Sequence, residues 1–209
     1  TGRSGTFFAY EGLGSIYWHM VSKLALAGIE NCIWSQQQPD SSKVTQKLLQ
    51  HYRTIRDGIG VAKSPAQYGA FPADPYSHTP KNSGVKQPGM TGQVKEDILS
   101  RLTELGVRVA KGQLGFDPCL LEECELLQQD SSLQFMNLHD AFVEIALPAG
   151  SFAYTLCQTP IIYHQATDSR LVVSQIDAEP EERDGLVLTS NETKSLFSRT
   201  GKIYRIDVF

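Results

Sequence analysis

The 209-residue sequence has no stretch approaching the roughly eighteen apolar residues of a membrane-spanning helix, so no segment reads as one. It has no basic excess. Its 19 Lys and Arg stand against 23 Asp and Glu, a net charge of −4, which argues against nucleic acid or an anionic membrane as partner. Its four cysteines, Cys32, Cys119, Cys124 and Cys157, include no CxxC pair. That argues against a zinc site and leaves buried free thiols as the expectation. There is no heptad run, no internal repeat, and no GxSxG, HExxH or EF-hand pattern. No charged n-region or apolar h-region opens the chain, so no signal peptide is visible, and the location, otherwise open, leans to the cytoplasm.

What is present is ordinary for a globular protein, with 41% hydrophobic and 20% charged residues, enough chain for one large domain or two small ones. The apolar run Phe7-Phe8-Ala9-Tyr10 close to the start needs a surface to pack on. The expected partner of residues 1–30 is the remainder of the same polypeptide or another chain.

The first half reads as helical. From Ser15 to Ile29 the residues Ile16, Tyr17, Met20, Val21, Leu24 and Ala27 fall at helical spacing on one face. Asp40-Ser41-Ser42 supplies N-cap candidates for a second helix carrying Val44, Leu48, Leu49, Tyr52 and Ile55, which Gly58 and Gly60 would end. The loop 61–89 contains five prolines and several aromatics, so it cannot hold a long helix and reads as an ordered loop packed on a scaffold. A third helix is expected from about Thr91 to Leu105, with Val94, Ile98, Leu102 and Leu105 inward and Gly106 as its stop.

The pattern then turns to strands. Val107–Val109 and Gln113–Phe116 flank a turn at Lys111-Gly112, and Leu120 to Leu127 suits an acidic helical turn or two. Further strands are expected at Phe142–Leu147, Phe152–Cys157, Pro160–His164, Leu171–Ile176, Leu186–Leu188 and Ile203–Val208. Their even spacing suits an antiparallel sandwich. The fold class is therefore α+β, with a helical part over 1–106 and a β part over 107–209.

Four places could carry chemistry. Gly12-Leu13-Gly14-Ser15 runs into the first helix, where free N–H groups can cradle an anion or simply make a tight turn. His19 sits one turn into that helix, as a ligand or a satisfied core residue. The segment Ala73 to Pro80 holds Asp74, Tyr76, Ser77, His78 and Thr79, groups suited to sugar hydroxyls and ring faces. Thr91 in Pro88-Gly89-Met90-Thr91-Gly92-Gln93 can cap a helix or help hold an oxyanion. Glu96 and Asp97 are adjacent, so on a helix their side chains diverge by about 100° and do not form a catalytic pair.

Taken in order, three segments resemble the C-terminal half of glycoside hydrolase family 94 proteins, the cellobiose phosphorylase type. Gly12-Leu13-Gly14-Ser15-Ile16-Tyr17-Trp18-His19 resembles that family's Gly-Gly-x-aromatic-x-His helix start. Met90-Thr91-Gly92-Gln93-Val94-Lys95 is similar to its Leu-Thr-Gly segment, and Gln113 to Leu120 to its Asp-Pro-Cys strand end. The segment from Ala149 to His164 is similar to tails of large bacterial proteins with the same toroid.

The resemblance implies the last helices of an (α/α)6 toroid followed by a small antiparallel β-sandwich. It places His19, Thr91 and Gly92 at a phosphate or anion site. The family's Gln after a Tyr in the long loop is missing here, since Gly69 follows Tyr68, and Gln67 or His78 could replace it. With Tyr76 and Ser77 these form the expected substrate-binding set. The family's general acid is an Asp upstream of the first motif, so no catalytic residue is assigned within the chain. The expected function is inverting phosphorolysis or hydrolysis of an oligosaccharide, without cofactor or metal, and with inorganic phosphate as co-substrate if the reaction is phosphorolysis. The alternative is a non-catalytic carbohydrate-binding or assembly module.

Overall fold

The computed structural model describes residues 18–59 and 94–209, with the backbone alone of residues 18–20, 59 and 94. The protein is a mixed α+β chain that divides into two compact units, Thr1–Thr103 and Glu104–Phe209. Among the described residues no helix is long and apolar enough to cross a membrane.

In the first unit, α1 (Trp18–Gln36) packs against α2 (Ser42–Ile59). The buried stripe of α1 is Ser22, Ala25, Ile29, Cys32 and Ser35, at spacings of three and four. This corrects the expected inner face, because Leu24 and Ala27 are exposed. The residues that face α2 are mostly small, and Gly28 lies beside Tyr52, where a Cβ would meet the ring in ordinary contact at 3.8 Å. The two helices are also pinned where the chain turns. Ser35 Oγ lies 2.8 Å from Thr45 Oγ1. The carbonyl of Ser41 accepts the Thr45 N–H, while its hydroxyl points back to the carbonyls of Ser35 and Gln38 at 2.5 and 2.8 Å. One serine thus starts α2 and closes α1.

Helix α3 (Val94–Glu104) also departs from its expected face. It buries Glu96, Ser100 and Glu104, four residues apart, and exposes Ile98 and Leu99. Gly106 follows it at φ +68°, the left-handed conformation expected of a helix stop. There the backbone of Asp117 passes so close that a Cβ on Gly106 would lie 1.9 Å from the Asp117 carbonyl oxygen. The Asp117 N–H donates to the Gly106 carbonyl at 2.9 Å.

The second unit begins with a hairpin, β1 (Val107–Ala110) and β2 (Gln113–Phe116), turning on Lys111 and Gly112, both at positive φ. A single 3-10 turn at Glu123–Glu125 precedes a second hairpin, β3 (Ser131–Met136) and β4 (Phe142–Leu147). The main sheet has five strands: β5 (Ser151–Leu156), β6 (Thr159–His164), β7 (Arg170–Gln175), β8 (Glu181–Asp184) and β9 (Ile203–Val208). Their order is β5-β6-β9-β7-β8. Helix α4 (Ser190–Phe197) intervenes between β8 and β9.

The sheet is mixed rather than wholly antiparallel, because β6 and β9 run parallel. After β8 the chain leaves the sheet for α4 and returns to fill the slot between two hairpins, antiparallel to β7 and hence parallel to β6. The segment 186–188, expected as a strand, is extended but forms an isolated bridge from Val187 to Gly115 of β2.

Alternate residues of three central strands build the core, since strand side chains point to opposite faces. Ile161, Tyr163, Leu171, Val173, Ile206 and Val208 pack with Leu114, Phe116, Leu188 and Leu196. Polar groups inside it are satisfied. The Leu114 N–H donates to Thr193 Oγ1 at 2.9 Å. Tyr163 Oη donates to the Leu105 carbonyl at 2.5 Å, so Tyr154 must be the donor in the 3.0 Å contact between the two phenols. Burial raises the pKa of both phenols and keeps them protonated for these bonds.

Two glycine variants separate backbone strain from steric overlap. Gly112 (φ +75°) has open space around it, so Gly112→Ala should cost about 1 kcal/mol in denaturant unfolding, from conformation alone. Gly106→Ala should cost about 3 kcal/mol or more, because the Asp117 backbone must also move. Equal costs would show that the Gly106–Asp117 approach does not constrain the fold.

Candidate functional site

Of the residues singled out in the sequence, Gln67, Tyr76, Ser77, His78, Thr91 and Gly92 lie outside the described residues. His19 belongs to α1 by its backbone, and its side chain also lies outside them. The described part of the helical unit nonetheless forms an open cleft of about 390 Å³. Ala25 of α1, Tyr52 and Arg56 of α2, and Asp97, Ser100 and Arg101 of α3 line it.

Tyr52 is buried against α1 and holds Arg56 one turn on: Nη1 donates to the phenol oxygen at 3.3 Å, and the guanidinium lies 5.9 Å from the ring centroid. Asp97 has its pKa raised, chiefly by burial, with Glu96 adding to the rise and Arg56 opposing it. Its neighbour Glu96 points elsewhere and is 4% exposed, so the two carboxylates diverge. One Glu96 oxygen lies 3.7 Å from Lys95 Nζ, and the other is buried without a hydrogen-bond partner. Two guanidinium groups, a phenol and a carboxyl supply donors and acceptors for a hydroxylated anion.

The β unit holds a second polar constellation that sequence reasoning missed. His164 ends β6, and Arg205, Asp207 and Phe209 alternate along β9, on the face opposite the core. Asp207 is buried. Its Oδ1 accepts from His164 Nε2 at 2.7 Å and from Arg205 Nη2 at 2.6 Å, and its Oδ2 accepts from Arg205 Nε at 2.6 Å. An ionised carboxylate can only accept, so the His164 proton sits on Nε2. The imidazole stacks on Phe209 with centroids 4.4 Å apart, and the Arg170 guanidinium lies 4.1 Å from the same ring centre. Arg170 is anchored in turn by Glu182 at 2.8 Å and Asp168 at 3.4 Å. The parts are 43 residues apart, and no local signal joins His164 to Asp207; the one hint is the i, i+2 spacing of Arg205 and Asp207 on a strand.

Two further sequence features resolve into structure. Thr193, in an Asn-x-Thr triplet at the start of α4, sits in the core as the acceptor for the Leu114 N–H. Of the four cysteines, all free thiols, only Cys32 is buried, whereas Cys119 and Cys124 are exposed, Cys124 within the 3-10 turn that follows β2. Among the described residues no group of His, Cys, Asp and Glu is placed to hold a metal ion.

No protein-family model matches the chain, and no curated protein matches it.

The Asp207 network makes stability depend on pH. Burial alone would raise its pKa, but hydrogen bonds from His164 and Arg205 and their charge outweigh that and hold the carboxyl below the usual range. A depressed pKa means the unfolded chain binds the proton more readily. The stabilisation is therefore fully present above the ordinary Asp value of about 4 and is lost as pH falls through the folded value. Asp207→Asn should cost about 2–3 kcal/mol at neutral pH, by removing the charged acceptor that His164 and Arg205 share, and should flatten the decline of stability below about pH 5. Urea unfolding across that range checks both; an unchanged acid slope would remove Asp207 as its source.

Proposed function

We propose that the chain is the C-terminal part of a carbohydrate-active enzyme of the glycoside hydrolase family 94 type. In this proposal the helical unit supplies the last helices of an (α/α)6 toroid, and the β unit is the sandwich that closes it. The reaction is inverting attack by phosphate or water on a glycosidic carbon, while a carboxylic acid earlier in the polypeptide protonates the leaving oxygen. His19, Thr91 and Gly92 hold the nucleophile side, and Gln67, Tyr76, Ser77 and His78 contact sugar.

The observation that carries the proposal is the inverted character of the helices. Trp34 is 62% exposed, Leu24 57%, Val44 55% and Ile98 53%, while α3 buries two glutamates. A helix pair standing alone would turn those residues inward, since each large apolar side chain gains roughly 1.5–3 kcal/mol on burial. Helices set in a ring have neighbours on both flanks and a polar interior, and that arrangement accounts for both features. The cleft with Arg56, Arg101 and Asp97 adds groups suited to an anion and to sugar hydroxyls.

The test uses the complete polypeptide and a β-linked glucose disaccharide with phosphate present. His19→Ala should lower turnover by about tenfold or more, the low end for a positioned catalytic group. Unchanged turnover would count against the assignment, and sugar binding without any turnover would favour a non-catalytic module.

A further inference from the structure

The β unit carries a second cleft, of about 460 Å³, between α4 and the adjoining ends of β7, β8 and β9. We infer that it is a binding site for a monosaccharide-sized ligand bearing hydroxyls and one acidic group. The volume falls within the roughly 300–1,000 Å³ of small-molecule sites. Five polar side chains line it without a partner among the described residues: Gln175, Asn191, Lys194, Ser198 and Lys202. Asn191, Lys194 and Ser198 recur at spacings of three and four, so α4 presents them on one face. Gln175 is the last residue of β7, at a register shift between Ser174 and Gln175 opposite the start of β9. Such irregularities re-aim a side chain.

The charge balance selects the ligand. Two acids line the same cleft, and both neighbour the single guanidinium of Arg183. Arg183 lies 3.7 Å from Glu181 and donates to Glu192, which also accepts from the Thr189 N–H and hydroxyl at the start of α4. With Arg183 beside the cleft, Lys194 and Lys202 bring the count to three cations against two carboxylates, a net positive charge that favours an anion. Three of the unpartnered groups, two carboxamides and a hydroxyl, both donate and accept. A bare phosphate, which mainly accepts, would leave half of that capacity unused, whereas sugar hydroxyls match it. This inference is independent of whether the helical unit turns over sugar.

The test is an amide NMR titration of the 209-residue chain with glucuronate, glucose 1-phosphate, glucose and inorganic phosphate. The first two separate carboxylate from phosphate as the acidic group. Either or both should give saturable shifts at Asn191, Lys194, Ser198 and Lys202, at least about fivefold tighter than glucose or inorganic phosphate. The double variant Lys194→Gln, Lys202→Gln should weaken that binding about tenfold or more, by loss of charge-assisted hydrogen bonds, with an unchanged melting temperature. No saturable shift with either acidic sugar would overturn the inference. So would inorganic phosphate binding as tightly as they do, or a double variant that binds as well as the parent.

Discussion

Strand β9 is hydrogen-bonded along both edges, parallel to β6 and antiparallel to β7, and the β unit depends on that insertion. Without it the five-stranded sheet is two separate hairpins, and isolated two-stranded hairpins are marginal in water. The strand contributes Ile206 and Val208 to the core from one face and Arg205 and Asp207 to the polar network from the other. Its first residues, with Lys202 before them, form one wall of the α4 cleft. Both constellations of the β unit are therefore consequences of one long-range pairing. Long-range pairing of this kind slows folding, because the chain must bring distant segments together before any contact rewards it.

Helix α4 is what makes the pairing topologically possible. Its N-terminus is fixed by a reciprocal cap, in which the Thr189 hydroxyl accepts from the Glu192 N–H and the Glu192 carboxylate accepts from the Thr189 N–H. The buried face of the same helix holds Leu196 and Thr193 against the sheet and β2. The outer face is then left with polar side chains beside the strand ends. Glu192 serves the cap and the ion pair with Arg183 together, and this is why its charge does not oppose an anion in the neighbouring cleft.

Much of this organisation was legible in the sequence, and the failures have physical causes. The hairpin at Lys111-Gly112 and the stop at Gly106 follow from glycine's tolerance of positive φ, a local property. The second helix followed from its start at Asp40-Ser41-Ser42 and from Tyr52 on its inner face, but it runs through Gly58 to Ile59 and leaves Val44 exposed. Helix α4 was overlooked although Thr189-x-x-Glu192 is a capping-box signature, because its eight residues offer little apolar periodicity. Strand β8, Glu181–Asp184, is four charged residues, and only its place at the sheet edge permits them. The inner faces of α1 and α3 were misread for one reason. Apolar periodicity points Leu24 and Ile98 inward, whereas α1 turns Ser22, Ala25, Ile29, Cys32 and Ser35 inward and α3 buries Glu96, Ser100 and Glu104. The polar network escaped because two strands 43 residues apart supply it.

The helical unit's exposed apolar residues and buried acids suit a ring of helices around a polar interior, and the sugar chemistry proposed for that ring rests on His19 of α1 and on residues outside the described ones. The most direct measurement is the anomeric configuration of the product when the complete polypeptide acts on β-linked glucose oligosaccharides, followed by proton NMR with and without phosphate. Inverting attack requires the first-formed product, glucose or glucose 1-phosphate, to be α-configured. A β-configured first product, or no cleavage under either condition, would contradict the account.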